Sequence, residues 1–223
     1  MALKLRIIPS LLLKNGRLVK GVAFKNHRDA GHPTATIRAL CNQGADEIIV
    51  LDISDDGTRP NWGWLGQIAE GCTCPLTWGG GLKTTDDVRG SLQRGADKVF
   101  VDGKNRGLID AASERFGHQC VTVGIDHRER DDLPGGGDNE LRLVSVAREG
   151  SRRGMDTKLI QAVTERVSVP VIAEGGAGNP QHIAEAFDAG ASAVAIGAML
   201  AFSDWNIVKI KKYLRQRGYE VRL

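Results

Sequence analysis

The sequence predicts an α/β protein, a (β/α)8 TIM barrel assembled from two half-barrels, on three observations. Eight short apolar runs recur along the 223 residues, with helical patterns between most of them. Near-continuous apolar runs of this length are buried parallel strands. Glycines stand where helices should end, at Gly44, Gly95 and Gly190. Finally, residues 75–105 align without a gap on residues 170–200: Pro75 meets Pro170, Gly80-Gly81 meets Gly175-Gly176, and Gly95-Ala96 meets Gly190-Ala191. A doubly wound sheet satisfies the first two observations. The repeat is too long for a solenoid unit and selects the half-barrel plan.

Strands are expected at residues 6–13, 47–53, 75–78, 98–102, 120–126, 140–147, 170–173 and 193–196. A long polar loop follows the first strand. Helices are then expected at 34–43, 85–94, 108–116, 156–166, 180–189 and 203–217. The run Thr84-Thr85-Asp86-Asp87 suits a helix start. One unit breaks the pattern. Residues 127–139, HRERDDLPGGGDN, are charged and carry Pro134 before the Gly135–Gly137 run. The fifth strand therefore passes to the sixth without its helix. The length agrees, since 223 residues is short for a barrel of ~250. A single domain over residues 1–223 is expected.

Composition narrows the class. Hydrophobic residues make up 41% and charged residues 26%, which excludes a disordered or fibrous chain. A net charge of +3 is too balanced for a nucleic-acid binder. Lys209, Lys211, Lys212, Arg215, Arg217 and Arg222 thicken the C-terminus and read as a solvated helix face. Cys41, Cys72, Cys74 and Cys120 read as reduced thiols, because the C-x-C pair lacks zinc spacing and no Cys/His pair follows. No metal and no cofactor are expected. The N-terminus lacks the marks of a signal peptide, and no apolar run reaches the ~18 residues of a membrane span. A cytoplasmic location is expected.

Chemistry should gather at the C-terminal ends of the strands, where barrel enzymes hold their sites. Two symmetric clusters, Gly79-Gly80-Gly81 and Gly175-Gly176-x-Gly178, follow strands and precede helices. Bare N–H groups there can meet a phosphate. Gly80, Gly81, Asp102 and Gly103 would form one cradle, and Gly150, Gly175, Gly176, Gly197 and Ala198 the other. Alternatively the glycines only make tight turns, and Asp102 would repel a phosphate. Asp52, Asp126 and Glu149 are the acid–base candidates. Asp126 ends an apolar strand, where partial burial tunes a carboxyl, or it caps a loop. Lys20 either clamps an anion from a lid or is solvated. At the opposite end Arg6, Glu47, Lys98 and Glu140 open strands one, two, four and six. They form a paired ring closing the floor, or they mark where strands meet water.

These stretches resemble one family. RIIPSLLLKNGRLVKG, FKN-x-RDAG-x-P, GADEIIVLDI, GGG, RGADKV, GID, REGSRRGMDT and GGAG span nearly the whole chain. They resemble the cyclase subunits of imidazole glycerol phosphate synthase. The resemblance implies a barrel that receives ammonia from a separate glutaminase subunit, a class I amidotransferase, in a heterodimer. Ammonia enters at the N-terminal face, follows the axis and meets a doubly phosphorylated substrate at the other end. Arg6, Glu47, Lys98 and Glu140 become the ammonia gate, Asp97 a docking residue, and Asp126 one of two catalytic aspartates, with Lys20 and Asp52 beside it. The other catalytic aspartate falls on Leu12, which cannot carry a proton. Ala147 and Glu149 replace a further pair of aspartates, and Ala198 a phosphate-binding serine. The ammonia side is kept and the cyclising side eroded. This is similar to a paralogous group associated with surface-polysaccharide genes, in which ammonia serves a sugar amidotransferase. The expected function is ammonia transfer to a phosphorylated sugar-type substrate. The alternatives are the histidine-pathway cyclase and a non-catalytic activator of a glutaminase. Nucleic-acid and membrane partners are not expected.

Overall fold

The computed structural model describes residues 4–54, 60–128 and 137–222. In chain order it holds β1 (Arg6–Lys14), β2 (Arg17–Val22), β3 (Lys25–Gly31), α1 (Pro33–Asn42), β4 (Ile48–Asp52), α2 (Trp62–Gly71), β5 (Leu76–Gly79), α3 (Thr85–Gln93), β6 (Lys98–Asp102) and α4 (Arg106–Phe116). Then follow β7 (Val121–His127), β8 (Glu140–Ser145), α5 (Thr157–Thr164), β9 (Val171–Glu174), α6 (Pro180–Asp188), β10 (Ala193–Ile196), α7 (Ala198–Ala201) and α8 (Ile207–Gln216).

Strands β4 to β10 pair in parallel in chain order, and β1 pairs with both β4 and β10. That last pairing closes the eight-strand barrel and excludes a doubly wound sheet, which leaves edges open. The elements β5, α3 and β6 start at a constant offset from β9, α6 and β10, so the internal repeat extends to whole elements. Three apolar clusters pack the helices on the barrel. A fourth fills its interior with Ile8, Leu12, Ile49, Leu51, Ile172, Ala193 and Ala195. No helix among the described residues is long and apolar enough to cross a membrane.

Four expectations need correction. The polar loop after the first strand is a β-hairpin, β2–β3. Its turn from β1 is Asn15-Gly16, with φ of 48° and 78°, the positive values that a two-residue hairpin turn needs. Helix α2 was not anticipated, because glycines at 63 and 66 dilute its pattern; Asn61 caps it by accepting from Trp64 N. Helix α8 starts at Ile207 rather than 203, where Asn206 accepts from Lys209 N. Lys211 is not on a solvated face: it is buried, and Nζ donates to Asp46 Oδ1 at 2.8 Å and to Gly44 O at 2.7 Å. Between β7 and β8, residue 128 and residues 137–139 are not helical. The rest of the expected missing-helix unit, residues 129–136 with Gly135, lies outside the described residues.

Side chains alternate along a strand, so Phe100 on β6 points into the barrel. Its ring takes the space that a side chain on Gly124 would need: a Cβ there would lie 1.9 Å from Phe100 Cζ. Gly124→Ala is therefore expected to overpack the interior and cost about 1–3 kcal/mol. Phe100→Leu in the same chain should recover most of that loss in denaturant melts, a non-additivity that separated sites do not show.

Candidate functional site along the barrel axis

The floor is built first. Arg6, Glu47, Lys98 and Glu140 take the first inward positions of β1, β6 and β8 and the residue before β4. They form an alternating ring: Arg6–Glu47 at 3.2 Å, Glu47–Lys98 at 3.0 Å, Lys98–Glu140 at 2.8 Å and Glu140–Arg6 at 2.5 Å. Thr77 Oγ1 donates to Glu47 Oε1 at 2.6 Å. The ring alternative is thus the observed one. Burial pushes the Glu140 carboxyl up, but Arg6 and Lys98 outweigh it and hold the pKa below its ordinary 4.5. Burial likewise pushes Lys98 down, and Glu47 and Glu140 outweigh it, raising the pKa above 10.5. Asp97 is exposed at the same end, its Oδ2 accepting from Leu76 N.

The centre holds a pair that the sequence reading missed. Arg142 on β8, 1% exposed, donates from Nε to Glu174 Oε2 on β9 at 2.7 Å. Its guanidinium lies 5.1 Å from the Phe100 ring centroid and reaches Ser10 Oγ. The interior is thus a packed layer and not an open pore. The buried Thr122 Oγ1 on β7 has no hydrogen-bond partner among the described residues. Alternation alone would have turned Arg142 and Glu174 inward; their pairing spans strands that only the barrel brings together.

The mouth divides into two halves. In the first, Asp126 at the end of β7 and Asp102 at the end of β6 stand at the edge of a cavity that measures about 730 Å³ among the described residues and runs mostly down the outer wall of the barrel, over Ile109, Val123 and Leu141. Asp126 opens to solvent, yet the protein packed around its carboxyl raises the pKa, with Glu174 and Asp102 adding to the rise and Arg142 and Arg128 opposing it. In the second half, Lys20 is neither solvated nor an open clamp. It is buried and ion-paired with Glu149, whose Oε2 also accepts from Phe24 N. The β2–β3 hairpin is thereby latched onto the mouth. Lys20, Glu149, Glu174, Gly175, Gly176, Gly197 and Ala198 leave a cavity of about 20 Å³, room for a water but not a phosphate.

The glycine candidates resolve unevenly. Gly80, Gly81, Gly175 and Gly176 all have positive φ, matched between the half-barrels. A Cβ on Gly80 would strike Asp52 O, and one on Gly176 would strike Gly154 O, so the tight-turn requirement holds at both. Gly103 spends its N–H on Gly124 O at 2.8 Å. Gly150 seats the hairpin, since a Cβ there would lie 2.4 Å from Gly21 O. Asp52 accepts from Ser54 N and Oγ. Leu12 is 3% exposed and packs in the interior cluster against Val19 and Phe24 of the hairpin. Away from the axis, the C-x-C pair gains a third thiol, Cys41, which no local spacing announced.

A closed barrel of two half-barrels, floored by a paired charge ring and carrying a tuned aspartate at its mouth, defines the class. The chain belongs to the family described as histidine biosynthesis protein, whose sequence model matches residues 6–140 and 131–206. It is 37% identical, over 248 aligned positions covering 98% of each chain, to imidazole glycerol phosphate synthase subunit HisF of Wolinella succinogenes. It is a HisF-like barrel. The aligned span exceeds 223 residues, so the relative carries residues that this chain lacks.

The ring sets a pH dependence. Because the Glu140 pKa is depressed, its contribution is present above 4.5 and lost as pH falls through the folded value. Glu140→Gln should lower stability at neutral pH by about 1.5–3 kcal/mol and flatten the acid limb of Tm against pH. Lys20→Met leaves Glu149 buried without its cation, at a cost of about 3–5 kcal/mol. Amide exchange in residues 17–31 should then accelerate while the β4–β6 amides stay protected.

Proposed function

We propose that this chain is the ammonia-accepting barrel of a glutaminase complex and delivers ammonia to a phosphorylated sugar-type substrate at the Asp126 side of the mouth. The observation that carries this reading is the intact four-charge ring at the end of the axis opposite Asp126. Lys98 is held by two carboxylates, so it can swing to one and open the floor while staying paired. Thr122, buried beyond the ring, offers a small polar passenger a partner. Asp97 on the same face is the proposed docking contact.

At the mouth, attack of NH3 on a substrate carbonyl carbon forms the C–N bond and breaks the C=O π bond, whose electron pair goes to oxygen. Asp126, as the carboxylate, takes the surplus proton from nitrogen and returns it to that oxygen, which leaves as water to give the imine. One such group suffices for amination. Closing an imidazole ring needs a second, and Leu12 cannot serve; a missing acid–base group costs about 10²–10⁴-fold. Lys20, whose Nζ already stands beside Gly197, joins the reaction when it turns from Glu149 to supply the cation for a phosphate over Gly175, Gly176, Gly197 and Ala198. Gly80 and Gly81 hold the other end, with Asp52 supporting their turn. The latched hairpin favours a second reading, a barrel that only activates its glutaminase.

Reconstitution with a class I glutaminase separates them. Asp126→Asn is expected to lower amination by about 10²–10⁴-fold and leave glutamine hydrolysis intact. Unchanged amination would return the activator reading. A histidine auxotroph lacking its cyclase is expected to stay unrescued; growth at normal expression would instead mark an ordinary cyclase.

A further inference from the structure

Three thiols meet at the N-terminal rim of the barrel, off the axis and near Asp97, and none of them takes part in the chemistry proposed above. Cys41 lies in the last turn of α1, Cys72 caps the C-terminus of α2, and Cys74 leads into β5. Their Sγ atoms all lie within 4.8 Å of one another. Cys41 and Cys74 are 3.0 Å apart, Cys41 and Cys72 3.8 Å, and Cys72 and Cys74 3.9 Å. All three are half-buried against the apolar cluster that holds Leu40, Ile68 and Leu76. We infer that Cys41, Cys72 and Cys74 form a binding site for a thiophilic metal ion, zinc(II), through three thiolates.

The donor set and its spacing carry this. Zinc–thiolate bonds of about 2.3 Å in a tetrahedron place sulfurs about 3.8 Å apart. Two edges of the triangle already have that length. The third opens by roughly 0.8 Å when the ion enters. Soft thiolates select zinc or copper(I) over hard cations, and charge decides between the two. Three thiolates around zinc(II) leave one negative charge, whereas a monovalent ion leaves two. The charge that acts on Cys72 is the Asp97 carboxylate, so the complex with the smaller negative charge, that of zinc(II), is the one favoured. Three protein donors leave a fourth tetrahedral position, which the half-exposed site opens to water. Each thiol gives up its proton on binding, so uptake of the ion releases protons. A C-x-C pair alone lacks the donors for this; the barrel supplies the third by packing α1 beside α2.

The test is titration of the reduced, full-length protein with zinc(II) under anaerobic conditions, in competition with a chromophoric chelator. One equivalent should bind with release of protons. Cys41→Ser, Cys72→Ser and Cys74→Ser should each weaken binding by at least about 100-fold, more than loss of an outer-shell partner, while Cys120→Ser binds like the wild type. X-ray absorption of the wild-type zinc form, which depends on no variant folding, should show three sulfurs at about 2.3 Å. A zinc shell with fewer sulfurs, or binding that survives Cys41→Ser, overturns the site. So does a protein isolated with Cys41 joined to Cys74 whose reduced form takes up no zinc.

Discussion

A charge taken out of water has to meet its opposite, and this barrel is organised by where those meetings occur. Arg6, Glu47, Lys98 and Glu140 close the floor, Arg142 and Glu174 fill the middle, Lys20 and Glu149 latch the hairpin, and Lys211 and Asp46 tie α8 to the turn before β4. Breaking a buried pair is far costlier than never having made one, because the remaining charge stays desolvated. Each pair therefore joins elements that cannot part without stranding a charge.

The same constraint makes the two half-barrels unequal. The stretches β5–α3–β6 and β9–α6–β10 share strand register and helix start, and their paired glycines share conformations, yet among the described residues Asp126 opens to solvent on one side of the mouth and a lysine–glutamate pair shuts the other. In the open half the carboxyl is crowded by protein and its proton affinity rises. In the closed half the cation that would meet an anion is already neutralised. The ion pair holds the hairpin seated over that half of the mouth. Leu12 lies under the hairpin as part of its apolar seat. Its contribution is packing, in a place where a carboxylate would stand desolvated against Val19 and Phe24.

Much of the fold was legible because it rests on local pattern. Apolar runs marked all eight barrel strands, Thr84 to Asp87 marked a helix start, and the repeat fixed the pairing of half-barrels. The hairpin had a local signal too: Asn15-Gly16, in a segment whose polar residues hid it. Helix α2 was lost to its own glycines. Lys211 looked solvated because a basic helix face usually is, and its partner is Asp46, far away in sequence. The floor charges were visible at strand starts, either as a paired ring or as strands meeting water, and the structure pairs them; Asp126 was picked out as a candidate from its place at a strand end.

By itself the sequence determined which residues are strands, which end of each strand carries charge, and that the strand-one position holds a leucine. These follow from side-chain period and local chemistry, which neighbours along the chain specify. The tertiary structure alone decided who meets whom: Arg142 with Glu174, Lys20 with Glu149, Cys41 with Cys72 and Cys74, and Phe100 with the bare Cα of Gly124. Barrel closure sets those distances through shear and strand order, and residues far apart along the chain carry no local mark of the partner they will face.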